Sequence, residues 1–186
     1  QISGSSAAGM FGSVAEGKVQ GATVHINGPV SGSVGAAGFA VKVGEGNGVI
    51  ENALVYLKSA NSAIAAGSRA AGFAGGTTLG TGVRMGQYQR TQNALSALSS
   101  VTIRGDSQAA GYACTVTGSV NNGTVMGAAQ ITSANGTAAG FAADIAGSGR
   151  VAVSGITPAL GDQTSDYRFN SNSNLRICGS DAAGFA

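Results

Sequence analysis

The pentapeptide Ala-Ala-Gly-Phe-Ala occurs four times, at 36–40, 70–74, 138–142 and 182–186. Ala109-Ala110-Gly111-Tyr112-Ala113 is a fifth copy with one aromatic exchanged for another, and Ser5-Ser6-Ala7-Ala8-Gly9-Met10 reads as a degenerate sixth in which a thioether takes the aromatic slot. A serine accompanies the motif: Ser5, Ser68, Ser107 and Ser180 stand two residues before the alanine pair, Gly136 replaces it once, and an extra residue separates Ser33 from Ala36. The motif glycines at 9, 38, 72, 111, 140 and 184 are 29, 34, 39, 29 and 44 residues apart. Such spacings mark architectures built from stacked supersecondary units. The expected units are approximately 1–40, 41–74, 75–113, 114–142 and 143–186, within a single repeat-built β domain.

The side chains of the motif suggest a packing device. Glycine and alanine let backbones or sheets approach closely, and the lone aromatic supplies most of the apolar area in each unit. Phe39, Phe73, Tyr112, Phe141 and Phe185 are therefore expected at equivalent buried positions, each against alanines of a neighbouring unit.

Composition narrows the function classes. Large aliphatics and phenylalanine number 7 Leu, 9 Ile, 16 Val and 6 Phe in 186 residues, a low share that strongly charged chains could not fold with. Here the net charge is only +2, so electrostatics demand neither nucleic acid nor a membrane surface as partner. No run of eighteen apolar residues is present to span a bilayer. Gln1 in place of an initiator methionine reads as a processed or a trimmed end, and the expected location is extracellular or at the cell surface after removal of a secretion signal. Cys114 and Cys178 have no metal-ligand spacing, and an even pair in such a chain predicts a disulfide. It would close a loop of about 65 residues and contribute roughly 4 kcal/mol.

Along the chain the pattern is that of short strands. Val24 and Ile26 face one way, Thr23 and His25 the other, and Asn27-Gly28-Pro29 ends the run. Val41-Lys42-Val43 and Val101-Thr102-Ile103-Arg104 alternate cleanly. Asn-Gly at 27, 47, 122 and 135 predicts tight hairpin turns, and Cys114–Thr117, the turn at Asn122-Gly123, Thr124–Met126 and Ile131-Thr132 read as one hairpin with threonines outward. Residues 50–64 fit either a helical face or a strand buried on both sides; strand is the preferred reading. The expected fold is all-β, with stacked or sandwiched sheets or, as the alternative, a β-solenoid, and few or no helices.

No catalytic constellation emerges. His25 is the only histidine, no cysteine, carboxylate or second histidine stands near it, and the glycine-rich runs lack the lysine of a phosphate loop. Asp162 and Asp166 are too sparse for a calcium loop. Arg84 and Arg90 around Tyr88 form no basic field for nucleic acid. No enzyme activity, cofactor or metal is expected.

The run from Gly82 to Ser99, with Gln87, Gln89, Gln92 and Asn93, resembles repeats of secreted bacterial functional-amyloid subunits of the Fap type, and in character it is similar to curli-type subunits. The resemblance implies an extracellular fibre subunit of a biofilm matrix without catalytic residues. The expected role is structural, with a surface-binding module such as an adhesin or ice-binding protein as the alternative. The expected partner is the chain itself, joined head to tail through Phe185 against Met10 and Phe11, with other matrix components besides.

Overall fold

Short alternating segments such as Val41-Lys42-Val43 and Val101-Thr102-Ile103-Arg104, each closed by glycine, are too short to bury a core within one unit and need neighbouring units on both sides. The computed structural model describes residues 1–43, 48–57, 59–79, 84–85, 93–97, 101–121, 123–127, 129–147, 149–152, 155–157 and 176–184. The strands fall into successive coils. The first holds β1 (Ile2–Ala8), β2 (Phe11–Val14), β3 (Lys18–Gln20) and β4 (Thr23–His25); the second β5 (Pro29–Ala37), β6 (Ala40–Val43), β7 (Val49–Glu51) and β8 (Leu54–Leu57). The third holds β9 (Ala63–Ala66), β10 (Arg69–Ala71), β11 (Ala74–Leu79), β12 (Arg84–Met85) and β13 (Asn93–Ala97). The fourth holds β14 (Thr102–Gly105), β15 (Gln108–Ala110), β16 (Ala113–Val116), β17 (Ser119–Asn121) and β18 (Gly123–Gly127). The fifth holds β19 (Gln130–Ser133), β20 (Thr137–Ala139), β21 (Ala142–Ile145), β22 (Arg150–Ala152) and β23 (Gly155–Thr157), followed by β24 (Arg176–Cys178) and β25 (Asp181–Ala183).

Every described strand pairing is parallel and links one coil to the next. Four sheets result. Sheet A gathers β1, β5, β9, β10, β14, β15, β19, β20, β24 and β25; sheets B, C and D hold five strands each, in the orders β2-β6-β11-β16-β21, β3-β7-β12-β17-β22 and β4-β8-β13-β18-β23. The chain visits A, B, C and D in turn and returns to A one strand spacing further along, about 4.8 Å. This is a β-solenoid, all-β and without helices among the described residues.

Register aligns like with like. Val30, Ile64, Ile103 and Ile131 form one buried row inside sheet A, Val14, Val43 and Val116 another inside B, and Val24, Val55, Leu95 and Val125 a third inside D. In parallel, in-register strands the period-two alternation puts each row on the core face of every coil, which is what β-branched side chains on a pleated surface favour. Of residues 50–64, ambiguous in sequence, the described ones form the end of β7, β8 and the start of β9, joined by bends and turns, with no helix.

The hairpins expected from Asn-Gly are absent from the described residues. Asn27-Gly28 lies at a D-to-A corner, Asn135-Gly136 lies at a bend within sheet A, and the described positive φ angles fall elsewhere, at Gly17, Gly21, Gly75, Gly147 and Asn52. The segment read as one hairpin holds, among its described residues, four strands, β16, β17, β18 and β19, in sheets B, C, D and A. Turn-forming residues mark where a strand stops and leave open what it pairs with. Here each strand's partner is its equivalent in the next coil, in one register throughout except for a shift within the β1–β5 and β6–β11 pairings.

Candidate functional site

The repeated motif is the corner at which the chain passes from sheet A to sheet B. Strands of A end at Ala8, Ala37, Ala71, Ala110 and Ala139, and the strands of B that follow begin at Phe11, Ala40, Ala74, Ala113 and Ala142, so two residues turn the corner in every coil. The first alanine of each pair (Ala36, Ala70, Ala109, Ala138) belongs to the main core. The second faces the opposite way: Ala37 and Ala71 pack with Val41 and Cys114 in a separate small cluster where the outer sides of A and B meet. A hydrogen bond from Thr115 Oγ1 to Gln108 Oε1 (3.2 Å) spans the same outer angle.

At the corner itself the glycines lie directly on one another. A Cβ built on Gly9 would stand 2.1 Å from the Gly38 oxygen, one on Gly38 2.2 Å from that of Gly72, one on Gly72 2.3 Å from that of Gly111, and one on Gly111 2.1 Å from that of Gly140. No side chain, not even alanine's, fits between these backbones without pushing coils apart. Beside them the aromatic rings form a ladder. Phe39 stacks on Phe73 (centroids 5.4 Å, 4° between planes), Phe73 on Tyr112 (4.8 Å, 19°) and Tyr112 on Phe141 (4.6 Å, 8°), all four fully buried. The separations follow the strand spacing, so an identical ring in identical register has its partner placed for it. The expectation of burial against alanines is thus refined: each ring's main neighbour is the next ring. The serine row is real as well, since Ser68 and Ser107 hydroxyl oxygens are 2.9 Å apart and the Ser107 N–H donates to the Ser68 carbonyl (2.8 Å).

Two expectations need correction. Met10 does not take the aromatic slot; it is 47% exposed, while Phe11 turns its ring edge onto Phe39 at 5.6 Å. Phe11 pairs in register with Ala40, one position past the ladder's own ring, and its ring still reaches Phe39. Nor are Cys114 and Cys178 joined. Both are free thiols: Cys114 is buried on β16 in sheet B, and Cys178 is exposed on β24 in sheet A, beyond the end of the next coil. Burial pushes the Cys114 thiol up from 9.0 to about 12, with Arg69 pulling weakly the other way, so it behaves as a small apolar side chain. Phe185 lies outside the described residues, as do Tyr88, Arg90, Pro158, Asp162 and Asp166; of 82–99 only 84–85 and 93–97 are described, as β12 and β13.

Among the described residues the remaining polar groups make no reacting constellation. His25 stacks on Tyr56 (4.8 Å, 16°) on the outer side of sheet D, at the rim of an open depression of about 360 Å³ that Gln1, Ile2, Asn27 and Pro29 help to line. The Lys18 ammonium meets the buried Glu51 carboxylate at 2.7 Å across two coils, an ion pair that the sequence did not signal because the two residues are 33 apart. Among the described residues no three of His, Cys, Asp or Glu are gathered where a metal ion could be held. No helix is long and apolar enough to cross a membrane, again among the described residues.

No known family model matches this chain. No curated protein and no solved structure matches it either. The functional reading therefore rests on geometry. Sequence reasoning also missed the apolar residue five to seven places before each alanine pair (Ile2, Val30, Ile64, Ile103, Ile131, Ile177), which aligning the chain on its motif would have exposed.

Proposed function

We propose that this chain is a structural subunit that assembles with copies of itself into an extracellular fibre, by stacking coil on coil. The observation that carries the reading is where the exposed large hydrophobic residues lie. Among the described residues three of the four, Ile2, Met10 and Ile145, belong to the outermost coils, and Ile2 and Ile145 continue rows that are fully buried further in, above Val30 and beyond Val116. Apolar rows and unpaired strand edges that run out to the outer coils suit a partner with the same cross-section, and every coil of this chain has it. A heterologous contact of that kind, repeated without closing, produces a filament. The low charge and the resemblance to fibre repeats agree with this role in a biofilm matrix.

Negative-stain microscopy of the purified chain at rising concentration tests the reading. Unbranched filaments of constant width are the expected result. A monodisperse monomer at every concentration would overturn it and favour the surface-binding alternative.

A further inference from the structure

The two outermost layers of sheet A carry nearly the same sequence. Ile2-Ser3-Gly4-Ser5-Ser6-Ala7-Ala8-Gly9 and Ile177-Cys178-Gly179-Ser180-Asp181-Ala182-Ala183-Gly184 share the isoleucine, both glycines, a serine and both alanines. They also share a spacing that no layer between them has. The isoleucine precedes the alanine pair by five residues in both, whereas Val30, Ile64 and Ile103 precede theirs by six and Ile131 by seven.

The topology gives this likeness a consequence. In sheet A, β1 lies on β5 at one end while β24 and β25 lie on β19 and β20 at the other, which makes six layers; sheets B, C and D have five strands each. A second copy that continues the stack, with its β2 on β21, its β3 on β22 and its β4 on β23, brings its own β1 into the layer that β24 and β25 already fill. One place has two claimants of the same sequence.

We propose that copies join by exchange of this layer: β24 and β25 of one copy take the place of β1 on β5 of the next. The proposal rests on the fibre reading and specifies its joint. The match is close at every level. β1 meets β5 with Ile2 on Val30, Ser3 on Ser31 and Gly4 on Gly32; the pairing then shifts past one extra residue of β5 and resumes with Ser6 on Gly35, Ala7 on Ala36 and Ala8 on Ala37. The shift exists because β1 has the shorter spacing, and the tail layer has the same one, so Ile177, Cys178, Gly179, Asp181, Ala182 and Ala183 fall on the same six partners. Only glycine fits where Gly9 lies 2.1 Å (Cβ to oxygen) from Gly38, and the tail supplies Gly184 there. The exchange also improves charge matching, because Asp181 replaces neutral Ser6 in the row that runs through Gly35 to Arg69. β1 is the layer to yield, since five of its seven residues are exposed and β5 is its one described strand partner.

Cys178 is a built-in reporter. Within one chain it lies four layers from Ser31, about 19 Å at the usual strand spacing, too far for a disulfide. In the exchanged joint the two positions are register partners. Ser31→Cys and Ser3→Cys are each assembled and mildly oxidised with diamide, and non-reducing gels read chain-to-chain cross-links. Exchange predicts roughly ten-fold more cross-linking through Cys178 for Ser31→Cys than for Ser3→Cys, because only the former pair meets disulfide geometry. It further predicts that deleting residues 1–8 shortens the lag of assembly about ten-fold, by removing the competitor that keeps β5 occupied. Filaments that cross-link through Ser3→Cys and not through Ser31→Cys, or that grow more slowly after the deletion, overturn the exchange and leave the fibre reading standing. No assembly by any of these proteins overturns both.

Discussion

The corner between sheets A and B and the other three corners follow opposite rules. At the first, two residues turn the chain in every coil, the glycine backbones touch and the rings stack. At the others the connection changes from coil to coil: between sheets D and A, β18 ends at Gly127 and β19 begins at Gln130, whereas β23 ends at Thr157 and β24 begins at Arg176. The unequal intervals between motifs, 29 to 44 residues, are therefore taken up wholly away from the motif. A corner whose atoms face the next coil has no slack, because any added atom parts every strand beside it. A corner whose residues face solvent can lengthen at little cost, since closure entropy grows only slowly with length.

Substitutions should separate the two kinds of position by size of effect. The largest is expected for Gly111→Ala, whose methyl would stand 2.1 Å from the Gly140 oxygen. Because backbone must move, a loss of about 4 kcal/mol or more in urea unfolding is predicted. Gly12→Ala is its control, since nothing lies within 4 Å of a Cβ there; its change should stay within about 0.5 kcal/mol. Next comes Phe73→Ala, which removes a fully buried ring held between two others and should cost about 3 to 5 kcal/mol.

The thiols give a smaller and pH-dependent contrast. Cys178 should react with a thiol reagent in the native protein and Cys114 only on unfolding. The folded state holds the Cys114 proton more tightly than the unfolded one, so its contribution to stability is fully present below pH 9 and is lost as pH rises from 9.0 to about 12. Unfolding curves of the wild type and Cys114→Ala should accordingly converge over that window. Convergence at lower pH, or parallel curves throughout, would contradict a buried thiol. A small effect is also expected for a Gly-Ser insertion after Gly147, an exposed left-handed glycine in the B-to-C connection. It should cost under about 1 kcal/mol, and the same insertion between Gly111 and Tyr112 should abolish folding.

The same division explains what could be read from the chain before its structure. The corner was legible because its constraint is local and repeated: small residues and one aromatic, in order, five times over. The strands were legible from valine alternation. Their partners were not, since Asn-Gly looks alike whether the next strand turns back or moves on to another face. The displaced role of Met10 and Phe11 depends on the first coil having one neighbour instead of two, which no local pattern encodes. Cys114 and Cys178 suggested a disulfide by parity; their separation reflects different sheets and different coils, a matter of three-dimensional register alone.

The central claim is that residues one motif apart lie one strand spacing apart, and the tyrosine in a row of phenylalanines makes it directly measurable. With Tyr112 and the phenylalanine rings selectively labelled, nuclear Overhauser contacts should connect Tyr112 to Phe73 (4.8 Å) and to Phe141 (4.6 Å), and Phe39 to Phe73 (5.4 Å), with none from Tyr112 to Phe39. A Tyr112 ring without contact to either phenylalanine, or in contact with Phe39 instead, would contradict the in-register stack.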